Sequence, residues 1–256
     1  MPPPIRWFDT HVHLDRYGDS AGVAMLARAA EAGVAGMLAV STSVTSSQRT
    51  AALSTPVWKA VGQHPIRAGE APESLVRHLR RIATLPGVAA VGETGFDASG
   101  PDWPAQHTSF AAQAGLAREM GLALVLHIDG AGAWQQLTSV DELLDGLRVV
   151  RHYFRGDQRQ AEWHAVRGHY VSFGRPLLRD PGLQAIAAGY PAELLLIETD
   201  SYPLPGRTTE PKDLVPVGEC LAGLRGWSIE TCAERLWANT VQALALDDSP
   251  AAPGPR

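Results

Sequence analysis

Two histidines one residue apart, His11 and His13, close the apolar run that opens the sequence. On an extended chain, residues i and i+2 face the same side, so both imidazoles point one way. Two neutral imidazoles side by side form half of a metal site. The pair gains meaning from four further ligand-type residues, Glu93, His127, His152 and Asp200, each near the end of another strand-like run. Four imidazoles and two carboxylates exceed what one tetrahedral zinc needs. They suit two divalent ions with one carboxylate bridging. Two ions about 3.5–4 Å apart can hold a hydroxide and offset charge on both the attacked and the leaving oxygen. Phosphodiesters, amides and lactones all yield to that arrangement.

The elements that must carry these residues read as short apolar runs alternating with helical stretches. Strands are expected at residues 5–9, 36–40, 58–61, 89–91, 123–126, 147–150, 170–173 and 194–197. Several are apolar nearly throughout, as in a parallel sheet buried on both faces. Ser20 is expected to cap a helix through Ala32, with Val23, Leu26, Ala27 and Ala30 on its buried face. Helices are also expected at 74–84, at 104–120 with Phe110, Ala114 and Ala117 inward, and after Ser228, with Ile229, Cys232, Leu236 and Val241 as its buried stripe. Eight strands alternating with helices imply an α/β fold, a single-domain (β/α)8 TIM barrel over residues 1–246. In such barrels the reacting groups sit at the carboxyl ends of the strands, where these polar residues fall. Residues 247–256 read as a disordered tail.

Bulk properties narrow the function. The 256 residues are 45% hydrophobic and carry a net charge of −5, which disfavours extended electrostatic wrapping of nucleic acid and leaves room for a local site. No apolar run is long enough to span a bilayer and no secretory leader is recognisable. Cys220 and Cys232 read as buried reduced thiols, consistent with a cytoplasmic protein.

Six motifs, in order along the chain, resemble those of the TatD family of metal-dependent hydrolases. Asp9-Thr10-His11-Val12-His13-Leu14-Asp15 resembles the opening motif, and Val61-Gly62-Gln63-His64-Pro65 is similar to Gly-x-His-Pro. Val91-Gly92-Glu93-Thr94-Gly95-Phe96-Asp97 resembles Gly-Glu-x-Gly-Leu-Asp, and Leu124-Val125-Leu126-His127 matches the fifth-strand histidine. His152-Tyr153-Phe154-Arg155-Gly156 is similar to His-Cys-Phe-Ser-Gly, and Glu198-Thr199-Asp200-Ser201 to Glu-Thr-Asp-Ser/Ala-Pro, with Glu210-Pro211 and Asn239 also in place.

The resemblance implies a barrel of the amidohydrolase superfamily, commonly a deoxyribonuclease that trims DNA from the 3′ end. It implies that His11, His13 and Asp200 hold one ion, His127 and His152 a second, and that Glu93 bridges them. Asp200 would also orient or deprotonate the attacking water, and His64 would contact substrate. The expected cofactors are two divalent ions, zinc, manganese or magnesium. The expected partner is DNA, single-stranded or at 3′ ends, with no membrane.

Three departures from the family pattern bear on the substrate. His127-Ile128-Asp129 lacks the arginine many members have after the histidine, Phe96-Asp97-Ala98-Ser99 stands where members have an Asp-Tyr-like pair and so loses that pair's aromatic, and Arg155 replaces serine. Arg155 either reads phosphate bidentately or is a solvated loop residue. Arg175 and Arg207 are further candidates for phosphate contact. The departures leave a second reaction open, hydrolysis of a small amide, ester or cyclic compound. A third reading makes the chain a component of a multi-protein defence assembly. His78, His107, His164 and His169 are expected at the surface. Trp103, Trp134 and Trp163 are expected to pack, unless one near the rim stacks a base.

Overall fold

Continuous runs such as Trp58-Lys59-Ala60-Val61 and Tyr170-Val171-Ser172-Phe173 form strands because branched and aromatic side chains fit a sheet buried on both faces. In the computed structural model there are eight such strands in one sheet, and their order in the sheet is their order in the chain. The structure describes residues 5–17, 19–204 and 207–246, without the side chains at 19–21, 204, 207 and 208. The expected tail at 247–256 lies outside the described residues.

The strands are β1 (Trp7–Val12), β2 (Val34–Val40), β3 (Trp58–Val61), β4 (Val88–Asp97), β5 (Ala123–Asp129), β6 (Val149–Arg151), β7 (Tyr170–Phe173) and β8 (Leu195–Ile197). Between and after them run α1 (Asp19–Glu31), α2 (Val44–Ala51), α3 (Pro72–Ala83), α4 (Trp103–Met120), α5 (Ala133–Thr138), α6 (Gln158–Val166), α7 (Pro181–Gly189), α8 (Val215–Arg225) and α9 (Ile229–Leu244). This is the (β/α)8 alternation expected from the sequence. Pairing is parallel from β3 through β6 and between β7 and β8.

Contacts gather the chain into two compact units. One comprises the chain through Leu38 together with the chain from His152 onward; the other is Ala39–Arg151. In the first, β1 meets the chain beyond β8 through a parallel bridge between Val12 and Ser201. The His13 amide donates to the Ser201 carbonyl at 3.0 Å, and the Asp200 amide to the His11 carbonyl at 3.0 Å. Trp7, Phe8, Phe154 and Phe173 are fully buried in this unit, and Phe96, Phe110, Leu75, Leu79 and Leu124 in the second. Each such side chain contributes roughly 1.5–3 kcal/mol by leaving water.

Several elements differ from expectation, each for a physical reason. β1 runs on through His11, β4 through Asp97 and β5 through Asp129, because backbone pairing continues where the side chains turn polar: Gly95 faces His127 and Asp97 faces Asp129. Helix α1 begins at Asp19, so Ser20 lies inside it. Its buried stripe is Met25 and Ala29, and Val23 is 70% exposed. In α9, Ser228 caps as expected by accepting from the Thr231 amide, but Ile229 is exposed while Cys232 and Leu236 are buried. Cys232 is a buried free thiol, and Cys220 is a free thiol that is only half-buried. Among the described residues no helix is long and apolar enough to cross a membrane.

The largest correction concerns His164 and His169, which are buried, not at the surface. Their Nδ1 atoms lie 3.0 Å apart. One ring must therefore present a proton and the other a lone pair, so at least one is neutral. His164 closes α6 against Phe154 and Trp163, and the Tyr190 hydroxyl donates to the His169 carbonyl at 2.7 Å. Burial, and then the Arg167 cation nearby, lower the His169 pKa to about 4. A base depressed in the fold takes its proton more readily when unfolded. His169 is thus neutral to stability above about pH 6.5 and costs stability as pH falls from there towards 4. The full penalty is about 3 kcal/mol. Urea unfolding of the wild type at pH 7 and pH 4.5, beside His169→Gln, should show the variant losing less stability on acidification. Parallel losses would remove His169 as the cause.

Candidate metal centre

The chain from His152 on, with β1, forms one cluster of ligand-type groups. His11 lies within β1 and His13 just beyond it, with ring centroids 5.0 Å apart. His152, directly after β6, stacks on His11 at 4.0 Å. Asp200 reaches back to both members of the opening pair, its Oδ1 lying 3.2 Å from His13 Nε2 and 3.9 Å from His11 Nε2. Glu198, fully buried, places Oε1 3.1 Å from His152 Nδ1. Behind them Asp9 accepts from the Thr199 amide at 3.0 Å, the Thr199 hydroxyl at 2.6 Å and the His11 amide at 3.2 Å. These bonds tie the end of β1 to the Glu198–Asp200 turn. Burial raises the Asp9 pKa to about 8, although its hydrogen bonds work the other way.

The second unit holds a matching cluster. His127, on β5, contacts Glu93 Oε1 through Nδ1 at 2.7 Å and Asp97 Oδ2 through Nε2 at 3.0 Å. Burial alone would lower the His127 pKa, but the bonds to Asp97 and Glu93 outweigh it and raise it to about 9. Asp97 is held well below the usual carboxylate range, chiefly by its bond to His127 and despite burial. The Ser99 amide and hydroxyl hold its other oxygen at 2.8 and 2.6 Å. His64 follows β3, its Nε2 3.3 Å from Glu93 Oε1. Its Nδ1 accepts from the Ile66 amide at 3.1 Å, which leaves the proton on Nε2.

Two features align this second cluster. Gly95 takes φ +144, and a Cβ there would collide with the His127 carbonyl, so β4 and β5 approach closely only because the residue is glycine. The buried Gln113 amide on α4 accepts from the Gln63 amide at 2.8 Å and donates to the Gln63 carbonyl at 2.9 Å and the Thr94 hydroxyl at 2.8 Å.

The donor sets suit divalent cations. Ligand atoms of His11, His152 and Glu198 lie within 4.8 Å of one another, as do those of His64, Asp97 and His127. Imidazole with carboxylate fits zinc, manganese or cobalt, and such packing of buried charge is ordinarily seen only where a cation shares it.

A family model described as TatD related DNase matches residues 8–245. The chain belongs to that family. It is 34% identical over 197 residues to a 3'-5' ssDNA/RNA exonuclease TatD of Cronobacter turicensis, covering 73% of this chain and 74% of the relative. It is 31% identical to the Erwinia amylovora protein of the same name, covering 83% and 89%. A crystal structure of a TatD homologue from Escherichia coli K12 superposes with a TM-score of 0.84 at 26% identity, over 96% of this chain and all of that one. The fold is thus the (β/α)8 barrel of a TatD-family metal-dependent hydrolase. The relatives are named as exonucleases, and the expectation of a defence assembly gains no support from them.

Within this TatD chain, the predicted ligands fall into the two clusters: His11, His13, His152 and Asp200 in one unit, Glu93 and His127 in the other, with His64 beside Glu93. Arg155 is exposed and Arg175 half-buried. The side chain of Arg207 lies outside the described residues. Trp103, Trp134 and Trp163 are all half-buried, and Trp163 carries the Arg167 guanidinium 3.9 Å from its ring centroid. Glu198 and Asp97 lie within the matched motifs without an expected role. Their spacing held the signal, since Glu198 stands at i−2 from Asp200, and Asp97 at i+4 from Glu93 on one extended strand.

Proposed function

We propose that this TatD protein is a two-ion exonuclease that removes nucleotides from the 3′ end of single-stranded DNA. The observation that carries the reading is that the family's ligand motifs, matched in order, fall in two packed imidazole–carboxylate clusters. The names of the relatives support the same substrate. The unbroken match over 8–245 supports one catalytic domain across residues 1–246.

His11, His13 and Asp200 are assigned to one ion, His127 and His152 to the other, and Glu93 to the bridge. Asp97 and Glu198 then act through the imidazoles they touch, fixing the ring orientation and tautomer of His127 and His152. Bound divalent ions would acidify a water and offset the charge that builds on phosphorus. Asp200 accepts the proton of the attacking water. His64 Nε2–H donates to a phosphate oxygen, and Arg155 and Arg175 pair with the flanking backbone. As the water oxygen bonds to phosphorus, the bond to the 3′ oxygen of the preceding nucleotide breaks, and that oxygen takes up a proton.

Digestion of 5′-labelled single-stranded DNA by metal-reconstituted protein should give stepwise shortening that chelator stops. Intact DNA from protein with two ions confirmed per chain would overturn the reading. Metal analysis of the same sample checks the expected zinc, manganese or magnesium.

A further inference from the structure

The polar groups around His152 extend to Tyr153. Tyr153 follows His152 directly and holds a left-handed backbone, φ +44, a conformation that costs a bulky residue free energy. The chain accommodates the ring at Gly174, after β7, where a Cβ would sit 2.7 Å from Tyr153 Cε2 and 2.9 Å from Cδ2. The ring centroid is 6.3 Å from that of His152, and the residue is half-buried.

Two cations flank the ring: Arg155 stands two residues on from Tyr153, and Arg175 directly follows the Gly174 that the ring packs against. Burial first, and then the carboxylates of Asp200 and Glu198, raise the phenol pKa, while Arg155 and Arg175 oppose them. A phenol ordinarily titrates at about pH 10, so its hydroxyl is a hydrogen-bond donor at neutral pH. Among the described residues, neither the Tyr153 hydroxyl nor the guanidinium of Arg155 or Arg175 has a hydrogen bond or ion pair. Cations at this place would oppose the binding of metal ions beside Asp200, so the metal gives no reason for them. An anion does, because guanidinium and phenol both donate to phosphate oxygens. The His-Cys-Phe-Ser-Gly motif has cysteine and serine where this chain has Tyr153 and Arg155, so neither donor belongs to that motif.

We propose that Tyr153 is a catalytic residue of this chain, its hydroxyl donating to a non-bridging oxygen of the scissile phosphate while Arg155 and Arg175 pair with the same phosphate or the next. The inference rests on the phosphodiesterase reading.

Tyr153→Phe keeps the ring against Gly174 and removes only the oxygen. With unchanged bound metal and an unchanged thermal midpoint, its kcat/KM on single-stranded DNA should fall about 10- to 100-fold, mostly in kcat. A value within twofold of the wild type would overturn the proposal. Calorimetric titration of metal-loaded protein with dTMP gives a readout without turnover, in which the variant should bind at least fivefold more weakly. Should the wild type fail to cut DNA, the nuclease reading falls on its own. Equal dTMP affinities in the two proteins would then overturn the Tyr153 contact as well.

Discussion

Asp200→Asn should lower DNA hydrolysis by about a thousandfold or more, the range expected when a group that moves a proton in the transition state is lost. Burial by itself would raise the pKa of this carboxyl, but the His13 hydrogen bond and the His11, His13 and His152 imidazoles outweigh it and hold it far below the usual carboxylate range. It is therefore ionised throughout the working range. The amide has nearly the same shape and can still meet His13, so the fold should persist with a thermal midpoint within a few degrees of the wild type. It has no charge to share with a cation and no basic oxygen to take a proton. Bound metal should fall as well, and metal analysis beside single-turnover kinetics separates the two losses. A variant that binds its full complement of metal and keeps a tenth of the rate would remove Asp200 from proton handling.

Gly95→Ala should be the most damaging single methyl group that can be added near the centre. Gly95 pairs with His127 across β4 and β5, and the new Cβ would meet the His127 carbonyl oxygen, with His127 C at 3.0 Å and N at 3.1 Å behind it. The obstructing atoms are backbone, so no side chain can rotate away. The φ of +144 adds a conformational penalty that alanine cannot avoid. A destabilisation above about 4 kcal/mol is expected, in the range reserved for broken architecture. Any folded fraction should carry His127 away from Glu93 and Asp97 and bind metal weakly. Urea unfolding reads the first effect and metal content the second. A loss of under about 1 kcal/mol would mean that β4 and β5 separate at little cost.

How far the sequence revealed this molecule depended on what kind of side chain marked each boundary. β3 and β7 are found at their expected residues because apolar runs end abruptly there. β4 was expected to stop at Val91, since Gly92, Glu93, Gly95 and Asp97 resemble a loop in composition. The strand continues because pairing to β5 is a backbone matter, indifferent to polarity. Helix α1 was expected to bury the wrong face because its alanines suit any face, and Met25 decides the rotation. The ligand-type residues were legible as types and spacings, which is why His11, His13, Glu93, His127, His152 and Asp200 stood out. The carboxylates that touch their rings, Glu198 and Asp97, are marked only by their spacing from Asp200 and Glu93; which ring each one meets is a contact between side chains on different segments and leaves no local pattern. The burial of His164 and His169 was hidden for the same reason.

The Gln113 amide has a consequence for anyone who would redesign this protein. It ties the chain just beyond β3 to β4 from the helix side, through bonds to Gln63 and Thr94. Alignment of the catalytic strands is thus anchored at the back of the sheet, like a loom whose warp is tensioned away from the cloth. Exchange of loops on the reaction side of the second unit should then leave these Gln113 bonds, and the placement of Thr94 next to Glu93, in place. Replacing Gln113 would shift the frame itself, whichever loops were mounted on it.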